Sequence, residues 1–360
     1  MLRNGDLKEY FKPRELSIGP IYAADPGLFK KELKLKLVAH FISDQSDRTG
    51  DDLLEEIKNN IVDIKSYFDN KVIESYSSLF LDGCAMLGFI HIYMTRNLNA
   101  FNISNGQAFL IQQDLFLFEN QIPYRVLEVL MWLDKKSRDE TRDWEEEFLR
   151  FLRMSNVIAP NDSRNAMDKR FFHHEVSGTN KKPVHILDLN RRLLLPRDDS
   201  LSDDNKFLTL CHLRLPTLVV DDSTTRKLFN LASYEMCLPP DLEDCWVTSY
   251  INLLDLLIDS EQDVKDLRAV DIVRNCLSSD IEVAQLIDNK GSHCFTPSGD
   301  TYEHVKGEIE KHYKRKCAIW VAQICQTHFS SPWTIIALFV ATTLHALTAI
   351  QTWFAVHPKN

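Results

Sequence analysis

The sequence predicts a mainly α fold: a large multi-helix domain with few short extended segments, followed by one C-terminal transmembrane helix. Three observations carry this expectation. Only eleven glycines and thirteen prolines interrupt 360 residues, and Leu-, Glu-, Lys- and Asp-rich stretches fill much of the rest. Apolar residues recur at helical spacing in segment after segment. Near the C-terminus, no Asp, Glu, Lys or Arg occurs between Ser331 and His357, a run of bilayer length.

Taken in order, "LFKKELKLKLVAHF" (Leu28 to Phe41) reads as an amphipathic helix, and "DDLLEEIKNNIVDIKSY" (Asp51 to Tyr67) as a second whose acids suit its N-terminus. "SSLFLDGCAMLGFIHIYM" (Ser77 to Met94) is apolar on more than one side and is expected at the centre of the fold. Its length, Asp82, Gly83 and His91 argue against a membrane span there. Helical spacing returns over Trp144 to Phe151, Thr224 to Met236, Val247 to Ile258, Val264 to Val273 and Ile281 to Ile287. The charged stretch "RDDSLSDDN" (Arg197 to Asn205) lacks apolar anchors and reads as a loop. "LRLPTLVVDDST" reads as a short extended piece, with Asp222 or Ser223 capping the next helix.

The C-terminal run has Trp333 and Trp353 near its ends as interfacial aromatics, and from Trp333 to Phe354 it would cover roughly 30 Å as a helix. Lys306, Lys311, Lys314, Arg315 and Lys316 precede it and Lys359 follows it. This bias places the N-terminal side in the cytoplasm and makes the chain tail-anchored. Lys311, Lys314, Arg315 and Lys316 are also candidates for contact with anionic lipid headgroups. The expected organisation is a helical domain over 1–300 with an internal loop at 197–215, a basic juxtamembrane segment over 301–331, a membrane helix over 332–356 and a short tail over 357–360.

Composition excludes some functions. A net charge of -10 is the wrong sign for a general nucleic-acid binder. The eight cysteines include no C-x-x-C pair, so no zinc or redox centre is expected. The start "MLRNGDLKEYFKPREL" has no apolar signal-peptide core, which points to thiols in a reducing cytosol.

One stretch, "DLFLFENQIPYRVLEVL" (Asp114 to Leu130), invites a functional reading, because Glu119, Asn120 and Gln121 interrupt an apolar sequence just before Pro123. Pro123 lacks an N–H and biases Ile122 away from helix. One helix is therefore expected to end near Glu119 and another to begin at Pro123, with Asn120 and Gln121 satisfying the freed backbone groups and Tyr124 and Arg125 engaging Glu119 or carbonyl ends. Asp114, Glu119, Asn120, Gln121 and Pro123 are read as a buried structural junction, since no nucleophile or metal-ligand set accompanies Glu119.

His173, His174 and Glu175 lack the spacing of a helical zinc site, and Asp221 with Asp222 looks like a helix start more than a magnesium site. His185 and Asp188, three apart, suggest an acid-base pair but come without a nucleophile elbow or a glycine-rich loop. No catalytic residue, cofactor or metal is assigned.

Several of these stretches together resemble one family. "YFKPRELSIGPIY", "LFLDGCAML", "DLFLFENQIPYRVLEVL" and "HILDLNRRLLLP", then "LVVDDSTTRKLFNLASYEMC", "VTSYINLLDLLIDSEQDVKDLR" and "HYKRK" before "SPWTIIAL", follow the motif order of the plant domain-of-unknown-function 247 family, also called UPF0481. The resemblance covers nearly the whole chain. Two departures stand out: Arg197 to Leu215 is shorter and more acidic than the family pattern, and Ala23 follows Ile21 and Tyr22 where a histidine is common. The resemblance implies a plant protein with a large helical domain, a C-terminal membrane helix and no established activity, some of whose relatives are implicated in self-incompatibility or sex determination. The leading expectation is a membrane-tethered interaction or recognition protein with a protein partner. The alternatives are a hydrolase or transferase using His185, Asp188 or Glu119, and a lipid-surface protein.

Overall fold

The most apolar stretch before the C-terminus lies at the centre of the fold. Tyr76–Met94 forms a 19-residue helix in which Cys84, Ala85, Met86, Leu87, Phe89, Ile90 and Ile92 are buried. The computed structural model describes residues 8–22, 31–44, 49–60, 76–137, 144–159, 182–194, 208–209, 212–213, 215–238, 245–290, 302–303, 305–307, 309–311, 314 and 332–356. Its contacts divide into two units, Met1–Tyr302 and Glu303–Asn360.

In the first unit, α1 (Lys31–Ser43), α2 (Gly50–Asn60) and α3 (Tyr76–Met94) precede α4 (Asn105–Asp114), α5 (Tyr124–Ser137) and α6 (Trp144–Ser155). Helix α3 packs against α1, α2, α5 and α6. A side chain at Gly88 would bring a Cβ within 2.5 Å of the Leu37 carbonyl oxygen, so glycine is what lets α1 cross α3 at backbone distance. Ser77–Met94 is long and apolar enough to cross a membrane, but 67% of it is buried inside the fold. It is a core helix here.

The second half adds α7 (Ile186–Leu194), α8 (Thr224–Glu235), α9 (Trp246–Leu257), α10 (Glu261–Ala269) and α11 (Asp280–Lys290). Two small sheets join them. Strand β1 (Ile158–Ala159) pairs antiparallel with β4 (Thr217–Val220), which pairs parallel with β5 (Val273–Asn275), while β2 (Leu208–Thr209) and β3 (His212–Leu213) form a hairpin. The second unit contains α12 (Pro332–Val356).

Mainly α is therefore the right class, and three local expectations need correction. Helix α4 ends at Asp114, five residues before Glu119, because Leu115 to Phe118 turn inside the core instead of extending a helix face. The reading of Val264 to Val273 as one helix fails: α10 ends at Ala269, Asp271 adopts φ 56°, and Val273 starts a strand. Neither Asp222 nor Ser223 caps α8 through its side chain. Asp221 does the work, its Oδ1 accepting from the Ser223 N–H at 2.8 Å and from the Ser223 and Thr224 hydroxyls. The second half of the Asp51 to Tyr67 helix, the Arg197 to Asn205 loop and the His173-His174-Glu175 group lie outside the described residues.

Candidate functional site

Residues 8–22 run through the first unit as a strap, and the polar residues that stood out in the sequence close around it as a clasp. Phe11, Leu16 and Ile18 are buried, and Tyr10 stacks on Phe229 at 5.0 Å, so the strap has few backbone partners of its own and must find them in the core. Asp114, at the end of α4, supplies most. Its carboxylate accepts from the N–H groups of Arg14 (3.0 Å), Glu15 (2.7 Å) and Leu16 (2.9 Å).

Asn120 fits the next stretch. Its Oδ1 accepts from Ile18 N–H at 2.7 Å, while its Nδ2 donates to Leu16 O at 3.0 Å and to Asp114 O at 2.9 Å. Asp82, from α3, accepts from Gly19 N–H at 2.8 Å and pairs with Lys34, whose Nζ also donates to Ser17 O. Gly19 adopts φ 76°, and a Cβ there would sit 2.3 Å from Gln121 O. From α8, Arg226 donates to Tyr10 O and Lys12 O, and Asn230 donates to Tyr10 O at 3.0 Å while accepting from Phe118 N–H at 2.7 Å.

Gln121 holds the junction itself. Its Nε2 donates to Leu115 O, Leu117 O and Asn120 O, and its Oε1 accepts from Leu187 N–H of α7. Pro123 stands where expected, directly before α5. Glu119 lies at the margin and accepts from the Tyr22 hydroxyl at 2.6 Å. The expectation that Tyr124 or Arg125 would serve Glu119 is corrected: Arg125 pairs with Glu128 at 2.6 Å, and the Tyr124 ring packs against Phe148.

The electrostatics of the clasp are those of a buried structural network. Burial pushes the carboxyls of Asp82 and Asp114 above the ordinary range, and Lys34, Arg226 and the strap N–H groups pull them back. Asp82, Asp114, Asn120, Gln121, Arg226 and Asn230 each bind at least one backbone group. The sequence had singled out Asp114, Asn120 and Gln121. It missed the roles of Gly19, Asp82, Arg226 and Asn230, for which the available signals were a lone acid in an apolar helix and an Arg and Asn four apart on one helix face.

The other candidates are equally committed. His185 precedes α7, and its Nδ1 accepts from Asp188 N–H at 3.0 Å, which requires a lone pair there and places the proton on Nε2. The Asp188 carboxylate accepts from Val184 N–H and pairs with Arg192 at 2.8 Å, so His185 and Asp188 form a helix cap and no acid-base dyad. Glu235 pairs with Arg191 and accepts from the N–H groups of Val247 and Thr248, capping α9. No group of three or more metal-ligating side chains occurs among the described residues. The cavity lined by Leu218, Leu228, Phe229, Ile251, Leu254 and Ile287 has a volume of about 20 Å³, room for one water. Lys314 is exposed and pairs with Glu310 at 2.7 Å, and Lys311 is in a helical turn. Arg315 and Lys316 lie outside the described residues.

The His185 cap has a pH signature. Burial, opposed by Asp188 and reinforced by Arg192, lowers its pKa to about 4 from 6.5. Between those values the unfolded chain binds the proton that the folded chain excludes, so stability falls as pH drops from 6.5 to 4, by up to about 3 kcal/mol. His185→Asn keeps an acceptor for Asp188 N–H without titrating. The difference between wild-type and variant urea midpoints is therefore expected to shrink on acidification, and a pH-independent difference would refute the buried neutral imidazole.

Comparison with known proteins bears directly on these motifs. The profile of the DUF247 family, described as "Plant protein of unknown function", matches residues 1–207 and 204–347. The chain belongs to this family. The two matches meet inside the stretch Arg197 to Leu215. The chain is similar to UPF0481 protein At3g47200 of Arabidopsis thaliana, at 24% identity over 96% of this chain and 83% of that protein. It is also similar to the Putative UPF0481 protein At3g02645 of Arabidopsis thaliana, at 24% identity over 38% of this chain and 26% of that protein. No solved structure matches. The clasp joins stretches that lie far apart within the matched residues: the SIGP strap, the Asp82 helix, the Asp114 to Pro123 junction and the Arg226 to Asn230 helix.

Proposed function

We propose that this plant family member is a non-enzymatic interaction protein whose helical domain is held on the cytosolic face of a membrane by α12. The observation that carries the reading is the character of α12. It is a 25-residue helix without a charged residue, and its large side chains stand exposed, Phe339 at 69% and Trp353 at 64%, with Ile336, Val340, Leu344, Leu347 and Ile350. Such a surface is costly in water and suited to hydrocarbon. The hydroxyls of Thr342, Thr343, Thr348 and Thr352 donate to carbonyls of the preceding turn, so they enter lipid already satisfied.

Against an enzyme stands the commitment of Asp114, His185 and Asp188 to backbone and ion-pair partners and of Glu119 to the Tyr22 hydroxyl. The basic residues before Trp333 support the cytosolic side, with Lys311, Lys314, Arg315 and Lys316 near enough in sequence to meet anionic headgroups.

Expressed in plant cells, the full chain is expected in the membrane pellet after a carbonate wash, and a chain ending at Ser330 in the supernatant. Equal recovery of both in the supernatant would end the anchoring proposal. Asn102, in the sequon Asn102-Ile103-Ser104, is exposed with φ 55°. A glycan at that position would put the domain on the lumenal side and overturn the orientation.

A further inference from the structure

The clasp recognises the strap almost wholly through main-chain atoms. Nine backbone groups receive a side-chain partner from the core: Tyr10 O, Lys12 O, Arg14 N, Glu15 N, Leu16 N, Leu16 O, Ser17 O, Ile18 N and Gly19 N. Side chains filter what can enter: Leu16 and Ile18 are buried, Tyr10 lies on Phe229, and position 19 must be glycine to pass Gln121 O at φ 76°. These requirements describe a receptor and its peptide within one chain. An emptied clasp keeps the Lys34–Asp82 and Arg226–Asp114 pairs but leaves Asp82, Asp114 and Asn120 without the strap N–H groups they bind in a buried setting, which favours reclosing or taking another strap.

We propose that the clasp also accepts the strap of a second copy of this chain. The second copy is the donor the chemistry selects, because its strap meets each filter at each position, with the same glycine, the same apolar anchors and the same nine backbone groups. The contacts do not depend on which copy supplies them, as in exchange of an identical terminal element between protomers. This inference does not rest on the membrane proposal, and fractionation tests the two separately.

The test uses two full-length chains. One carries Gly19→Val and keeps its clasp; the other carries Asp114→Ala with Asn120→Leu and keeps its strap. Each alone is expected to be protease-sensitive. Co-expressed, the Gly19→Val chain should become resistant and co-purify with its partner, restoring about half of the wild-type resistant protein, since only one core per pair regains a strap. A Gly19→Val chain that stays sensitive beside its partner, or that is resistant on its own, overturns the proposal. Addition of a synthetic peptide of residues 8–22 to the Gly19→Val chain distinguishes donors. Protection by the peptide without protection by the second chain rules out the second copy.

Discussion

Gly19→Ala is expected to destabilise the domain by more than about 4 kcal/mol, enough to leave a typical domain largely unfolded. The added Cβ would lie 2.3 Å from the Gln121 carbonyl oxygen, where backbone meets backbone and no rotamer change relieves the overlap. The φ of 76° adds strain for any residue with a Cβ. Relief requires the strap to lift, which removes the Ile18 and Gly19 hydrogen bonds and leaves Asn120 and Asp82 buried without them. Gly106→Ala is the matched control, because its Cβ would meet only the Ser104 Oγ at 4.0 Å. That change is expected to alter the urea midpoint of the detergent-solubilised chain little, or to raise it. Equal midpoints for the two variants would show that the strap does not sit against Gln121.

Asn120→Leu should approach the same severity by a different route. The leucine is close in size but leaves Ile18 N–H, Leu16 O and Asp114 O without their buried partners, at roughly 1 to 3 kcal/mol for each group. Because the three groups belong to the strap and to the end of α4, the loss should reach both elements. Pulse proteolysis is expected to show cleavage in the strap and in the Leu115 to Phe118 turn at lower urea than elsewhere. A variant cleaved only on global unfolding, at the wild-type midpoint, would remove Asn120 from the clasp.

The sequence made the chemistry of the junction readable but left its purpose out of view. Asn120 and Gln121 were recognisable as amides placed to satisfy freed backbone groups, because Pro123 is a local signal acting on its neighbours. What they satisfy was not local. Asn120 serves Leu16 and Ile18 across 104 and 102 residues, and Asp82 serves Gly19 across 63, so no periodicity within a window could bring them together. The same limit explains the misplaced end of α4. Leu115 to Phe118 are apolar because a turn inside the core is surrounded on all sides, and an apolar run cannot by itself distinguish that from a continuing helix. At α10 the error was one of weighting. Val270, Ile272 and Val273 carry the β-branched character of a strand, and Asp271 takes a left-handed φ of 56°, yet the helical spacing before them dominated the reading.

The central claim is that Asp82, Asp114 and Asn120 hold the strap by its backbone, and amide hydrogen exchange tests it at the atoms concerned. The N–H groups of Glu15, Leu16, Ile18 and Gly19 lie outside helices and strands, and each is bound to a side chain of the clasp. If the clasp is integral to the fold, these amides open only with the whole domain. Their protection in the native full-length chain should then equal that of the α3 core amides. Exchange of the four at rates typical of an exposed loop, with α3 still protected, would contradict the account.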